Sequence, residues 1–301
     1  MIAGAGGLVM VVLRFLVLAA TTGALGAWIF ARFVVPGAAG DAAVAQRPRL
    51  VRMSGRVAMA CTALIVLLAV PRLMAQAQSL SDPDDPLAAM MFSVLRTHWG
   101  WALVVQTAAA VTALVALWAA TRAGGRWRVA EYAVITLAIV PSFMGHAIAD
   151  SDRRVLSMLV DILHVAAAGG WVGTLALLTL AALRHRREAD APVLVTSLVV
   201  AFHPIAMVTA GTVFVTGLGT AWLRMGAPIG IADPTYSGLF VAKLLLVGVT
   251  GAIGAGHAKQ AKKRGQKVAP ASIGRTLLGE TLLAVLVLVV TAILAGTAPI
   301  G

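Results

Sequence analysis

The chain of 301 residues is 60% hydrophobic and only 12% charged, with a mean hydropathy of +0.92. Soluble domains carry about twice that charged fraction, so a soluble globular fold is excluded. A net charge of +12 and a pI near 11.3 would suit nucleic acid, but the basic residues lie in short stretches between apolar runs, so the excess reports membrane topology and no nucleic-acid partner is expected.

Eight apolar runs follow one another: Leu8 to Val35, Val57 to Met74, Trp99 to Ala120, Val129 to Ala149, Val155 to Leu183, Val193 to Leu223, Ser237 to Gly256 and Thr276 to Ala295. At ~1.5 Å per residue, ~20 residues match the ~30 Å hydrocarbon core, so each run is predicted to span as a helix. The expected fold is all-α: one polytopic domain over residues 1–301, eight transmembrane helices, lipid on its outside. No Lys or Arg precedes the first run and no small-residue cleavage site follows it before the basic stretch, so it reads as a retained helix rather than a signal peptide.

Alternate connections differ in charge. One set holds most of the 24 Lys and Arg residues, in clusters around Arg47 to Arg56, Arg122 to Arg128, Arg184 to Arg187 and Lys259 to Arg275. The positive-inside rule makes these loops cytoplasmic and puts both termini on the periplasmic side. The opposite loops carry Asp82, Asp84, Asp85, Asp150, Asp152 and Asp233, with a few arginines including Arg72. The longest connections are Val35 to Arg56 inside and Ala75 to Thr97 outside.

The fifth run contains Asp161-Ile-Leu-His164 followed by Gly169, Gly170, Trp171 and Gly173. An ionisable side chain at membrane depth costs a few kcal/mol or more, so it needs a partner, a proton, a metal or water. His164 and Trp171 are seven positions apart and return to nearly one face, with glycines beside them that let another helix approach. Counting from the span ends puts Asp161 and His164 roughly 9 to 14 Å below the outer surface, and Arg14 and Lys243 ~9 Å below it. His98 opens the third span and His146 lies near the outer end of the fourth.

Methionines accompany these residues: Met90 and Met91 before His98, Met144 beside His146, and Met158 one turn before Asp161. Thioether and imidazole donors suit copper, sulfur favouring Cu(I) and nitrogen or oxygen suiting Cu(II). The expected metal ligands are therefore His98, His146, His164, Met144, Met158 and Asp161. Arg14, Trp171, Lys243, Met90, Met91 and His203 support them. His203 precedes Pro204 inside the sixth span, where it either serves as an exit ligand or bonds a carbonyl that proline frees. Against these readings stand plain packing for each Met, interfacial anchoring for His98, and mutual neutralisation for Arg14, Asp161 and Lys243. Cys61, the single cysteine, reads as packing. His185 and His257 read as solvated loop residues, Glu280 as a carboxylate snorkelling to the interface, and Gly248, Gly251 and Gly254 as a close-packing face.

Three successive pieces resemble the copper resistance D (CopD) family of bacterial inner-membrane proteins: His164 with Trp171-Val-Gly173; Phe202, Ala206, Thr216-Gly217 and Ala221; and Tyr236-Ser-Gly238 with Lys243. The resemblance covers about residues 155–296. His203 and Ser237 depart from the family pattern. The resemblance implies an eight-helix protein that moves or handles copper in the bacterial inner membrane, with a separate periplasmic copper-binding chain of the CopC type as partner. No nucleotide-binding loop is present, so ATP-driven pumping is not expected. The reading is of a membrane protein that handles copper and is not an enzyme. The alternatives are a membrane haem or redox protein with histidine axial ligands, and a non-transporting partner or sensor. Homo-oligomerisation stays open.

Overall fold

The computed structural model describes residues 5–82, 84–123, 127–144, 153–225, 234–264 and 270–297. Among them every regular element is helical. In chain order these are α1 (Ala5–Ile29), α2 (Val35–Gly37), α3 (Asp41–Gln78), α4 (Leu87–Leu95), α5 (His98–Ala123), α6 (Trp127–Ile139), α7 (Arg154–Ala168), α8 (Thr174–His185), α9 (Ala191–Met225), α10 (Pro234–Arg264) and α11 (Pro270–Leu294). Two π-helical turns make long helices continuous, Phe30–Val34 between α1 and α2 and Gly169–Gly173 between α7 and α8.

Seven helical segments among the described residues are long and apolar enough to cross a membrane, so the protein is a multi-pass membrane helix bundle. The fourth expected span is the one that falls short. Helix α6 ends at Ile139 and gives way to a 3-10 turn, Val140–Phe143, in which Pro141 has no N–H to continue the α ladder. The rest of that run, from Gly145, lies outside the described residues.

Connections are shorter than the sequence suggests. Most of the expected inner loop from Val35 to Arg56 is helix, because α3 begins at Asp41 behind Gly40, whose φ of 95° turns the chain in a conformation that favours glycine. Arg72, expected in an outer loop, lies within α3, which continues through Pro71 to Gln78. The outer connection carries a short helix of its own, α4. His257 falls within α10 rather than in a loop.

The segment Arg154–His185 is the hub, with 72% of its most apolar window buried inside the bundle against 17–39% for the others. Apolar area cannot drive helix association in lipid, so close contact rests on small residues. Glycines provide it here: a Cβ on Gly26 would strike the backbone of Gly173 and Thr174, and one on Gly173 would strike the Thr22 carbonyl. Thr174 Oγ1 also donates to the Gly26 carbonyl at 3.4 Å. Helix α1 thus lies backbone to backbone on the π turn.

Below this crossing a large apolar core joins Phe30, Val34, Leu50, Leu175, Leu178, Leu194 and Leu198. Leu67, Val155, Val208, Val215 and Leu245 stay exposed, as side chains that face lipid should.

Three expectations fail on packing. Nothing lies within 4 Å of a Cβ built on Gly248 or Gly251, so among those glycines only Gly254, against Glu280 Oε2, is tightly packed. Glu280 does not snorkel; it is buried between α10 and α11. His185 is buried at the end of α8 with Nδ1 3.0 Å from Glu188 Oε2, because the turn after α8 folds the carboxylate back over the ring.

Candidate functional site

A cavity of about 360 Å³ lies among α1, α3, α5, α7, α10, α11 and the turn after α6. Its polar lining comes from Arg14 to Thr22 in α1, the first three turns of α5 and α10, the last two turns of α3, the end of α11 and His164 in the second half of α7, so it lies towards one end of the bundle. Arg14, Thr21, Arg72, Gln76, Gln106, Met144, His164, Trp171 and Lys243 all line it.

His164 is the imidazole of the site. Its Nδ1 lies 2.9 Å from Thr216 Oγ1 on α9. The Thr216 hydroxyl has one proton and gives it to the Thr212 carbonyl at 2.5 Å. Its oxygen therefore accepts from His164 Nδ1–H, which leaves the lone pair on Nε2. This orienting bond is of the kind that fixes the tautomer of a metal-binding histidine. His164 Cε1 also lies 3.6 Å from where a Cβ on Gly217 would stand, an ordinary van der Waals distance.

Met144 reaches the same cavity from the end of the 3-10 turn after α6. Its sulfur accepts from Arg72 Nη2 at 3.2 Å, and Arg72 Nη1 donates to Gln106 Oε1 at 2.6 Å. The guanidinium also sits 5.8 Å from the centre of the Trp99 ring, within range of a cation–π contact. Arg72, Gln106 and Trp99 form a polar wall that the sequence did not single out. Arg72, two residues from the end of the run Val57 to Met74, counts with the arginines of the outer loop in the sequence, and nothing in the pattern around Gln106 marks it. Only the reach of α3 past Pro71 brings the two together.

Of the expected site residues, the cavity gathers His164, Met144, Arg14, Trp171 and Lys243. It does not gather the others. His98 is exposed at the start of α5, while the neighbouring Trp99, about 100° further round, faces inward. Met90 and Met91 pack with Leu73, Ala77, Val94 and Leu103, in a cluster that Met144 also touches. Met158 and Asp161 are partly buried on the turns before His164 but do not line the cavity. Asp161 is itself engaged in a polar or electrostatic interaction. His203 is partly buried in the interior of α9, away from the cavity. His146 lies outside the described residues. Among the described residues no three His, Cys, Asp or Glu side chains converge as a metal site. The imidazole and sulfur donors that do share a space are His164 and two thioethers, Met144 and Met10.

Residues 1–155 match the family described as copper resistance protein D-like, N-terminal domain, and residues 196–294 match copper resistance protein D. The copper transport protein CutJ of Bacillus subtilis (strain 168) is 28% identical over 176 residues, which is 56% of this chain and 30% of that protein. Copper resistance protein D of Pseudomonas syringae pv. tomato is 28% identical over 205 residues, 64% of this chain and 65% of that protein. The chain thus spans under a third of one relative and just under two thirds of the other. No solved structure matches it. Because the N-terminal match alone covers more than half of the sequence, the chain belongs to the copper resistance protein D family.

Proposed function

We propose that this protein handles copper in the bacterial inner membrane, binding it as cargo in the cavity lined by His164 and Met144 and passing it along the bundle without catalysing a reaction. The observation that carries the reading is that an oriented imidazole and a thioether, donors that copper accepts in both valences, line one cavity from separate elements. The names of both relatives refer to copper.

By the positive-inside rule the basic clusters at the other end of the bundle lie in the cytoplasm, which makes the cavity end periplasmic. Copper then arrives from the periplasm, from a separate carrier chain of the CopC type. Met144 must be released to coordinate it, because its sulfur accepts from Arg72.

Copper accumulation in cells producing the native protein, H164A and M144L tests this reading, with membrane protein levels measured alongside. Both variants should reach the membrane and lose most of the copper difference between producing and non-producing cells. Native copper content in cells making H164A at normal levels rejects it.

A further inference from the structure

We infer that the same cavity is also an oxyanion site, taking a carboxylate or phosphate group between Arg14 and Arg72. This goes beyond the copper reading and does not depend on it.

Arg14 lies seven residues into its span and Arg72 six from the end of its own, ~9–10 Å into the membrane at ~1.5 Å per residue. Charges at that depth are stabilised by opposite charge. Among the described residues neither arginine has a carboxylate partner: Arg72 meets an amide oxygen, a thioether and an indole face, all neutral, and Arg14 has no hydrogen bond or ion pair at all. The smaller cavity at the other end of the bundle shows the contrast, since its Arg32 lies 3.8 Å from Glu131 Oε1.

The rest of the lining also favours an anion. No Asp or Glu is among the described lining residues, and Lys243 adds a third cation, held by a polar contact of its own. Gln106 is 1% exposed with Nε2 unpartnered, and Thr21 is 2% exposed with an unpartnered hydroxyl. The Arg72 bond takes the Gln106 oxygen, which leaves the amide NH₂ as the group still seeking a partner. Two guanidinium forks, an amide NH₂ and a hydroxyl are donors, and planar forks match the two oxygens of a carboxylate or phosphate. A volume of about 360 Å³ is ample for such a group. It reaches the site either as a free anion or as the headgroup phosphate of an anionic lipid.

The test is thermal unfolding of the full chain in phosphatidylcholine nanodiscs, titrated with sodium phosphate or sodium acetate against sodium chloride at constant ionic strength. The native protein should gain stability with phosphate or acetate in a saturable, logarithmic manner and not with chloride. Q106E supplies its own carboxylate beside Arg72 in the same side-chain shape. It should melt at or above the anion-free native temperature and lose the anion response. R14Q, at the more exposed arginine, should keep the fold and shift the response to several-fold higher concentration. Replacing part of the lipid by phosphatidylglycerol separates the sources. A rise that removes the phosphate response in the native protein but not in Q106E assigns a headgroup; an unchanged phosphate response assigns the free anion. Equal melting of the native protein in phosphate, acetate and chloride overturns the inference, and so does an equal anion response in native and Q106E.

Discussion

Replacing Gly173 with alanine asks the crossing of α1 and the π turn to make room for one methyl group. The new Cβ would overlap the Thr22 carbonyl and lie 2.9 Å from Gly26 Cα, whereas carbons pack well at ~3.5–4.0 Å. The two backbones must separate by roughly 1 Å, and a gap of that order forfeits up to about half of the dispersion energy across it. No side chain can swing aside, because the obstacles are main-chain atoms. That places the cost at the upper end of the overpacking range, about 3 kcal/mol, offset by about 1 kcal/mol for removing a helical glycine. A net loss of about 2 kcal/mol lowers the melting temperature by roughly 4–8 °C at ~2–4 °C per kcal/mol. The assay is fluorescence-monitored unfolding in mild detergent with G251A as the control, since nothing lies within 4 Å of a Cβ at Gly251. G173A melting no lower than G251A refutes the claim that these backbones touch.

Other outcomes follow from the same geometry. T216V removes the acceptor that holds His164 Nδ1–H, so copper binding by the purified protein should weaken ~10–100-fold, as for loss of an orienting partner, while helical content stays native. R72L deprives Gln106 and Met144 of a charged donor and should destabilise the protein by about 1.5–3 kcal/mol in thermal unfolding. In the turn after α8, Glu188 is held below its ordinary carboxylate range chiefly by its polar contact with His185; loss of hydration opposes this, and the charges of His185 and Arg49 add to the lowering. Its carboxylate also accepts from Gln46 Nε2 at 3.1 Å on α3. A depressed carboxylate contributes stability that is complete above the ordinary Glu range and disappears as pH falls through the lowered value. Melting curves between pH 7 and acid should therefore show a loss in the native protein that is smaller in E188Q.

The bundle itself was legible because spans need only length and apolarity, and the runs after Val155 agree with the helices to within a few residues, reaching further only where basic residues extend their ends. Pro141 could be seen in the sequence, but the 3-10 turn it sits in depends on how α6 packs. Helix ends hid the most. Arg72, two residues before the end of its apolar run at Met74, counts with the outer loop until α3 is seen to continue to Gln78. The close packing expected at the glycines beside Trp171 is present and met by Gly26, whereas that expected at Gly248 and Gly251 is not. Spacing placed His164 and Trp171 on one face correctly. Met158 and Asp161, expected as ligands on the turns before His164, lie outside the lining because the cavity begins at His164, and depth along a helix is set by neighbours that a single helix does not record.

The two family matches leave residues 156–195 between them, and the π turn falls in that gap. It is where the helix that starts the N-terminal match is riveted to the segment that leads into the C-terminal one. A joint between main chains has no side chain that can yield, so any sliding there would move backbone against backbone. Helix α1 also packs against α8 and α11, so the N-terminal portion is fastened to the C-terminal one at more than this one place.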